Sequence, residues 1–291
     1  MSEAAVSEPV EPPADLPELV EVQGPTSIGG GWHRFFELLT LISVTEFKKT
    51  YFDTALGYLW SLIKPLVLFG VLLFVFTQIF RVGSQVEFYP VLLLFNIVLF
   101  GFFQEASISS VTSVVSQEAI VRKTQFPRLV IPLAVVLTAL MNLGVNLVVV
   151  LVFVFAFGVD PSWSMFLFPV WMAALVILTA AVSLILSSLY VKFRDVAIIW
   201  SVGVTVLFYG TPVLYPIEIV PEKYHDIVML SPLTILFVQA RHWFIDPSAP
   251  SAVEAAGGWL SLLPAGLISI ATCVFAVWIF RHQAPRVAED L

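Results

Sequence analysis

From residue 129 to residue 157 the chain reads LVIPLAVVLTALMNLGVNLVVVLVFVFAF, without a single charged side chain. A hydrocarbon core about 30 Å thick is crossed by roughly 20 consecutive apolar residues in a helix. The stretch therefore predicts a transmembrane helix. Over the whole chain 59% of the residues are hydrophobic, 12% are charged and the mean hydropathy is +0.95, whereas an ordinary soluble domain has about 25% charged residues. We therefore expect an integral membrane protein.

The predicted fold class is an all-α integral membrane protein with six transmembrane helices per subunit. Short polar breaks separate six long apolar stretches, and several of these exceed 20 residues, which permits tilt. The predicted spans are approximately 59–80, 88–113, 129–157, 163–190, 196–215 and 258–280.

Segments outside the spans carry their own signals. Residues 32–58 place apolar side chains at helical spacing and predict an amphipathic helix at the membrane interface, with a soluble cap helix as the alternative. Between spans five and six, residues 216–257 predict two short helices broken at Ser231-Pro232. This pair is a re-entrant or gate element, or else two surface helices.

The two ends of the chain lie outside the membrane domain, which we place at residues 32–282. Residues 1–31 contain six acidic residues, no Lys or Arg, and several prolines, a composition typical of a disordered tail. The tail has no basic region followed by an apolar one, so it is not predicted to be a signal peptide. Residues 283–291 are expected to form a short cytoplasmic tail.

The distribution of Lys and Arg predicts the orientation. With the N-terminus inside, 11 of the 14 basic residues fall in cytoplasmic segments, and the other three are Arg81, Lys223 and Arg241. Cytoplasmic loops carry the excess of positive charge. Both termini are therefore predicted to be cytoplasmic.

Enzymatic signatures are absent from the sequence. It contains no Gly-rich phosphate loop, no His-Glu-x-x-His and no Gly-x-Ser-x-Gly motif. Its single cysteine and four scattered histidines predict no metal site. A transport subunit powered by a partner is favoured over an integral-membrane glycosyl- or acyltransferase, which needs a clustered site, and over a passive channel.

Polar residues inside the predicted spans are few. Glu105 is the carboxylate well within a span, where a functional and a structural role are equally open. Asn142 and Asn146 are one helical turn apart, and interhelical hydrogen bonding is favoured for them. In the fifth span, Trp200 and Tyr209 combine a flat face with a polar tip and are candidates to contact sugar rings.

The cytoplasmic break 117–128, QEAIVRKTQFPR, combines both signs of charge with apolar residues and ends near a proline. It predicts either a short docking helix for a cytoplasmic partner or a positively charged stop for the adjacent spans. A second inner break, 190–196, reads YVKFRDV. There Asp195 is placed to cap the following helix.

The chain resembles the membrane subunit of ABC-2-type exporters of polysaccharides, teichoic acids and O-antigens over about residues 32–282. Five segments carry the resemblance: LGYLW with Lys64-Pro65, RKTQFPR at 122–128, YVKFRDV at 190–196, PVLYP at 212–216, and Ser231-Pro232. Ser231 stands where Asn is usual, and Thr124-Gln125 replaces a more apolar pair. The acidic tail and the Val/Ala-rich composition further suggest an actinobacterial cell-wall galactan exporter.

The resemblance implies a homodimer in the bacterial plasma membrane, joined by two copies of an ATP-binding-cassette subunit that holds ATP and Mg. It implies no cofactor and no catalytic residue in this chain, no nucleic-acid partner, and a cargo of polysaccharide on a polyprenyl diphosphate lipid, in contact with membrane lipids. The coupling helix to the ATPase would use Gln117, Glu118, Ile120, Val121, Arg122, Lys123, Phe126 and Arg128, with a second cytoplasmic contact at Lys192, Arg194 and Asp195. The translocation path would use Phe69, Phe76, Trp200, Phe208, Tyr209 and Tyr215, and the outer gate Pro212, Pro216, Ser231 and Pro232.

Overall fold

The structure, a computed structural model, describes residues 31–52, 57, 59–81, 86–117, 127–160 and 162–283. Within these ranges the regular secondary structure is helical throughout. The α-helices are α1 (Trp32–Phe52), α2 (Leu59–Phe74), α3 (Tyr89–Ser116), α4 (Val130–Ala156), α5 (Phe168–Lys192), α6 (Val196–Gly210), α7 (His225–Met229), α8 (Pro232–Phe244), α9 (Ala252–Ala255) and α10 (Trp259–Gln283).

Among the described residues, five helical segments are long and apolar enough to cross a membrane, and they confirm an all-α integral membrane fold. A π-helical turn, Val75–Ile79, extends α2, and a 3₁₀ turn, Trp163–Leu167, leads into α5. The five spans are Leu59–Ile79, Tyr89–Ser116, Val130–Ala156, Trp163–Lys192 and Trp259–His282. The remaining predicted span, 196–215, corresponds to the 15-residue helix α6.

Helix α6 ends at Gly210 and is therefore five residues shorter than the predicted span 196–215. Thr211 is already extended, with φ −90° and ψ 147°. A residue before proline is driven out of the helical region, and Pro212 follows directly. Residues 211–214 are nevertheless buried. Irregular backbone is tolerated at membrane depth only where protein or a cavity covers it.

Helix α3 is the centre of the bundle. In the most apolar 18 residues of α3, 78% of the residues are buried, compared with 11% in the span that contains α2 and 17% in α10. Helices α4 and α5 form its main neighbours, and α2 and α6 pack against it less extensively. The apolar faces of α2 and α10 are therefore left to lipid or to another protein chain.

Helix α1 packs along α4 and is fixed by two polar contacts. The hydroxyl of Ser43 is fully buried; it donates to the carbonyl of Leu39 in its own helix at 2.7 Å and also lies 3.2 Å from the carbonyl oxygen of Ala134. The hydroxyl of Thr138 donates to the carbonyl of Ala134 in its own helix at 2.8 Å and lies 3.2 Å from the carbonyl oxygen of Ser43. The predicted helix at this position is confirmed, while its place at the membrane interface stays a prediction.

The connection between α6 and α10 contains the predicted break at Ser231-Pro232. The helical stretch Glu222–Met229 and helix α8 meet there at an angle of 108°. Pro232 occupies the first turn of α8, where its missing N–H costs no helical hydrogen bond. Helix α8 then packs against α5 and α10 on the central bundle.

Candidate functional site

A cleft of about 770 Å³ opens between α2, α3 and α4 and reaches Phe208 of α6. Its walls carry an aromatic face and many polar groups, although the surrounding helices are strongly apolar. The polar and aromatic side chains that line it are Trp60, Ser61, Lys64, Phe100, Phe102, Gln104, Glu105, Ser109, Asn142, Asn146 and Phe208. These groups share a cleft because each helix presents one face to it, with successive residues three or four apart.

A carboxylate on α3 is joined to an amide on α4 inside this cleft. The Asn142 amide donates to Glu105 Oε1 at 2.5 Å. Asn142 is 4% exposed, whereas Glu105 is on the exposed side of its helix. The interhelical bond predicted for Asn142 is therefore confirmed. Asn146 instead donates to the backbone carbonyl of Asn142 in its own helix, at 2.9 Å.

One of the six predicted path aromatics lines the cleft, and two others lie on the same helix, α6. Phe208 lines it and packs edge-on against Phe100, with the ring centroids 5.1 Å apart. Trp200 is half-buried, and its indole N–H donates to the hydroxyl of Ser107 at 3.0 Å. Tyr209 follows Phe208 on α6 and is exposed. Their role in a translocation path stays a prediction.

The other predicted path aromatics have different surroundings. Phe69 is buried and meets Phe153 of α4 edge-on, with the centroids 5.5 Å apart. Phe76 packs against Phe80 within the π-helical end of the first span. The Tyr215 hydroxyl donates to the backbone carbonyl of Tyr209 at 2.9 Å. Their role in transport stays a prediction.

The predicted outer-gate prolines belong to a segment that α3 holds in place. The buried amide of Asn96 donates to the carbonyls of Pro212 and Val213, at 3.2 Å each. The buried hydroxyl of Tyr89 donates to the carbonyl of Leu214 at 2.8 Å. Three carbonyls that the end of α6 leaves without helical partners are thereby satisfied, as burial in a membrane protein requires.

An ion cluster that the sequence interpretation missed fastens this segment to α8. Arg241 lies near the end of α8, and its Nη1 donates to both carboxylate oxygens of Glu218 at 2.8 Å. Its Nη2 contacts Asp246 at 3.4 Å. Burial favours a higher pKa for Asp246, but hydrogen bonds from Ser248 and the charge of Arg241 together lower the pKa below its ordinary value. Glu218 and Arg241 are 23 residues apart, so no local pattern could reveal their pairing.

Four gate residues were predicted, and the structure places them in two groups. Pro212 and Pro216 line a small cavity with Asn96 and Phe237 of α8. Ser231 precedes α8 at its N-cap, where its side chain makes no capping hydrogen bond. Pro232 opens the helix. The segment that contains Pro212 and Pro216 therefore contacts the middle of α8, whereas the break at Ser231-Pro232 lies at the beginning of that helix.

Most of the predicted coupling helix, residues 118–126, lies outside the described residues. Its flanks are described: Gln117 ends α3, and Arg128 is 9% exposed just before α4. Burial lowers the pKa of the Arg128 guanidinium. In the second inner break, Arg194 stacks over Tyr190 at 5.2 Å.

Lys192, Phe193 and Asp195 of the same break are exposed, whereas Val191 is buried. Lys192 lies over the ring of Phe193 at 5.7 Å. Asp195 occupies the N-cap of α6, but its side chain makes no capping hydrogen bond. The predicted cap is therefore wrong in its chemistry, although its position is right.

A bundle of apolar spans with a cleft in its wall that contains charged and amide side chains is typical of a membrane transport protein. The ABC-2 type transporter family model matches residues 37–245, and the chain belongs to that family. Two O-antigen export system permease proteins (RfbA) of Klebsiella pneumoniae are 34% and 32% identical over 212 residues, 72% of this chain and 81% of theirs. The RfbA protein of Myxococcus xanthus is 26% identical over 261 residues, 89% of this chain and 97% of its own.

Proposed function

We propose that the chain is the permease subunit of an ATP-driven exporter that moves a lipid-linked polysaccharide out of the bacterial cytoplasm. The observation that carries the proposal is the 34% identity to an O-antigen export permease over 212 residues. The polar cleft between α2, α3 and α4 supports it, because a hydroxyl-rich polymer needs polar groups within the membrane.

The energy would come from a separate ATP-binding-cassette subunit, which would bind ATP and Mg. Family membership implies such a partner, and the sequence has no nucleotide-binding loop of its own. The partner would seat on the cytoplasmic segment 117–128 and on the exposed side chains of Lys192 and Arg194. Positive charge on this side agrees with cytoplasmic termini.

A homodimer would supply the rest of the path. Exposed apolar faces run along α2, at Val67, Val71 and Phe74, and along α6, at Ile198 and Val202. Apolar faces need no cover in lipid, but α2 also forms one wall of the cleft. A second copy would close the cleft and exclude lipid from it. Two permease copies with two ATPase copies would form the complete exporter.

The test is export itself. The chain and its ATPase partner are reconstituted together in vesicles with the lipid-linked polysaccharide of the same cell, and the polymer transferred across the bilayer is measured. We expect transfer with ATP and none with a non-hydrolysable ATP analogue. Sugar analysis of the polymer decides between a galactan and another glycan.

Three results would contradict the proposal. Equal transfer without ATP would indicate a channel. Turnover of a lipid-linked sugar by the chain alone would indicate a transferase. Normal surface polysaccharide in cells that lack the gene would remove the export role altogether.

A further inference from the structure

The carboxylate in the wall of the cleft has an environment that a purely structural contact does not need. Asn142 holds one oxygen of Glu105, yet the Glu105 side chain stays exposed toward the cleft. A carboxylate offers about four acceptor positions, and one amide hydrogen occupies one of them. The others can accept further hydrogen bonds from whatever enters the cleft.

Two neighbours determine which ligand chemistry fits. Trp60, on the α2 wall, is 43% exposed and lines the same cleft. Gln104 is exposed beside Glu105 on α3 and offers both a donor and an acceptor. A negative charge, an amide and an aromatic face together suit a neutral ligand with many hydroxyl groups. Lys64 also lines the cleft and interacts electrostatically with Glu105. The two charges offset each other, so no net positive charge remains to hold a diphosphate.

The position of the carboxylate along α3 places it within a transmembrane span. Glu105 is 11 residues before Ser116, the end of α3, which corresponds to about 16 Å along a helix that rises 1.5 Å per residue. The diphosphate and the sugars of a lipid-linked polymer both have to pass this depth, and the sugars make up most of the polymer's length. The volume of about 770 Å³ lies in the range typical of ligand sites.

We propose that Glu105, oriented by Asn142, forms together with Trp60 of the same cleft a subsite that binds the sugar hydroxyls of the exported polymer. The carboxylate accepts hydrogen bonds from adjacent hydroxyls, and the indole face stacks on the ring. Charge-assisted hydrogen bonds of this kind are about twice as strong as neutral ones. The inference rests on the proposed function, since it assumes that a polysaccharide passes through this cleft.

A glycine in the same wall provides a probe that leaves the subsite intact. Gly101 lines the cleft, and a Cβ added there meets nothing within 4 Å. Gly144 of α4 has the same open surroundings but is not a lining residue of the cleft, so it is a matched control. Cys273 is the single cysteine of the chain. Cys273→Ser therefore gives a background in which Gly101→Cys or Gly144→Cys is the sole thiol.

The experiment measures thiol labelling of both variants in nanodiscs, in the complex with the ATPase partner. The probes are the cell's own polysaccharide, released from its lipid by mild acid, and farnesyl diphosphate. We expect the free polysaccharide to slow labelling at position 101 at least about fivefold and to leave position 144 unchanged. Farnesyl diphosphate should protect neither position.

Glu105→Gln then tests the carboxylate. Glutamine keeps an oxygen for the Asn142 amide but removes the charge, so the fold is retained. The polysaccharide concentration that gives half-maximal protection should rise about tenfold, because neutral hydrogen bonds replace charge-assisted ones. A bond that serves only to join α3 to α4 would survive this change and leave that concentration unaltered.

Three outcomes would overturn the inference: no protection at position 101, protection by farnesyl diphosphate in place of the polysaccharide, or an unchanged half-protecting concentration in Glu105→Gln. The proposed function is tested separately by ATP-dependent export from vesicles of the unmodified chain. Export without protection at position 101 would refute the subsite alone. Absence of export would refute the proposed function itself.

Discussion

Replacing Asn96 with leucine is the most direct test of how the irregular segment after α6 is held. Leucine has nearly the shape of asparagine but no hydrogen-bonding group. The carbonyls of Pro212 and Val213 each lose a donor at 3.2 Å. Both lie in buried backbone, so water does not simply replace the amide.

The expected loss of unfolding free energy is about 2 kcal/mol. A net intramolecular hydrogen bond contributes about 0.5–1.5 kcal/mol, and polar contacts between transmembrane helices average about 0.6 kcal/mol. Two bonds as long as these together contribute about 1–2 kcal/mol. The two buried carbonyls that lose their donor add a desolvation cost, so the expected loss lies at the upper end of that range. Tyr89→Phe removes one bond of 2.8 Å to the carbonyl of Leu214 and should cost about 1 kcal/mol.

The measurement is the unfolding free energy of each variant in bicelles. The matched control is Asn146→Leu, whose amide donates only to a carbonyl within its own helix. That carbonyl already has a helical partner, so the control should lose less than about 0.5 kcal/mol. Equal losses in Asn96→Leu and Asn146→Leu would refute the reasoning, and so would a more stable Asn96→Leu.

Three further predictions concern charge, coupling and the path. The environment of Asp246 lowers its pKa in the folded state. Its contribution to stability is therefore complete above the ordinary Asp pKa of about 4 and is lost as the pH falls through the folded pKa. The midpoint of thermal unfolding should fall between pH 6 and pH 3, and it should fall less in Asp246→Asn. Arg122→Glu and Phe126→Ala should abolish export while membrane insertion stays normal, and retention of partner-stimulated ATPase and export would contradict the coupling role. Tyr209→Ala should slow export without changing the unfolding free energy, whereas Trp200→Ala should change both, because only Trp200 has a buried partner, Ser107.

Long apolar runs and charge counts predicted the membrane fold because both signals are local and strong. The spans agree with the helices to within a few residues at most ends. The exception is the end of α6, where Pro212 stops the helix five residues earlier than the predicted 215. A proline between apolar residues is compatible with a kinked span as well as with a break, so the sequence could not decide.

The site was harder to predict because its contacts join distant residues. Asn142 was recognised as an interhelical donor, but its acceptor, Glu105, is 37 residues away and was a separate candidate. Likewise, nothing in the local sequence around Arg241 indicates Glu218. Such pairs depend on which helix faces are neighbours, and that is decided by packing in three dimensions.

Helix α3 connects the two polar regions of the bundle. Asn96 and Glu105 are nine residues apart, which at 3.6 residues per turn places them on opposite faces of the helix. Asn96 holds the segment after α6, and Glu105 faces the cleft beside α2 and α4. The same helix ends at Ser116, directly before Gln117, where the predicted coupling segment begins. An ATPase that pushed on this end of α3 would displace Glu105 and Asn96 together, because both lie on one continuous helix.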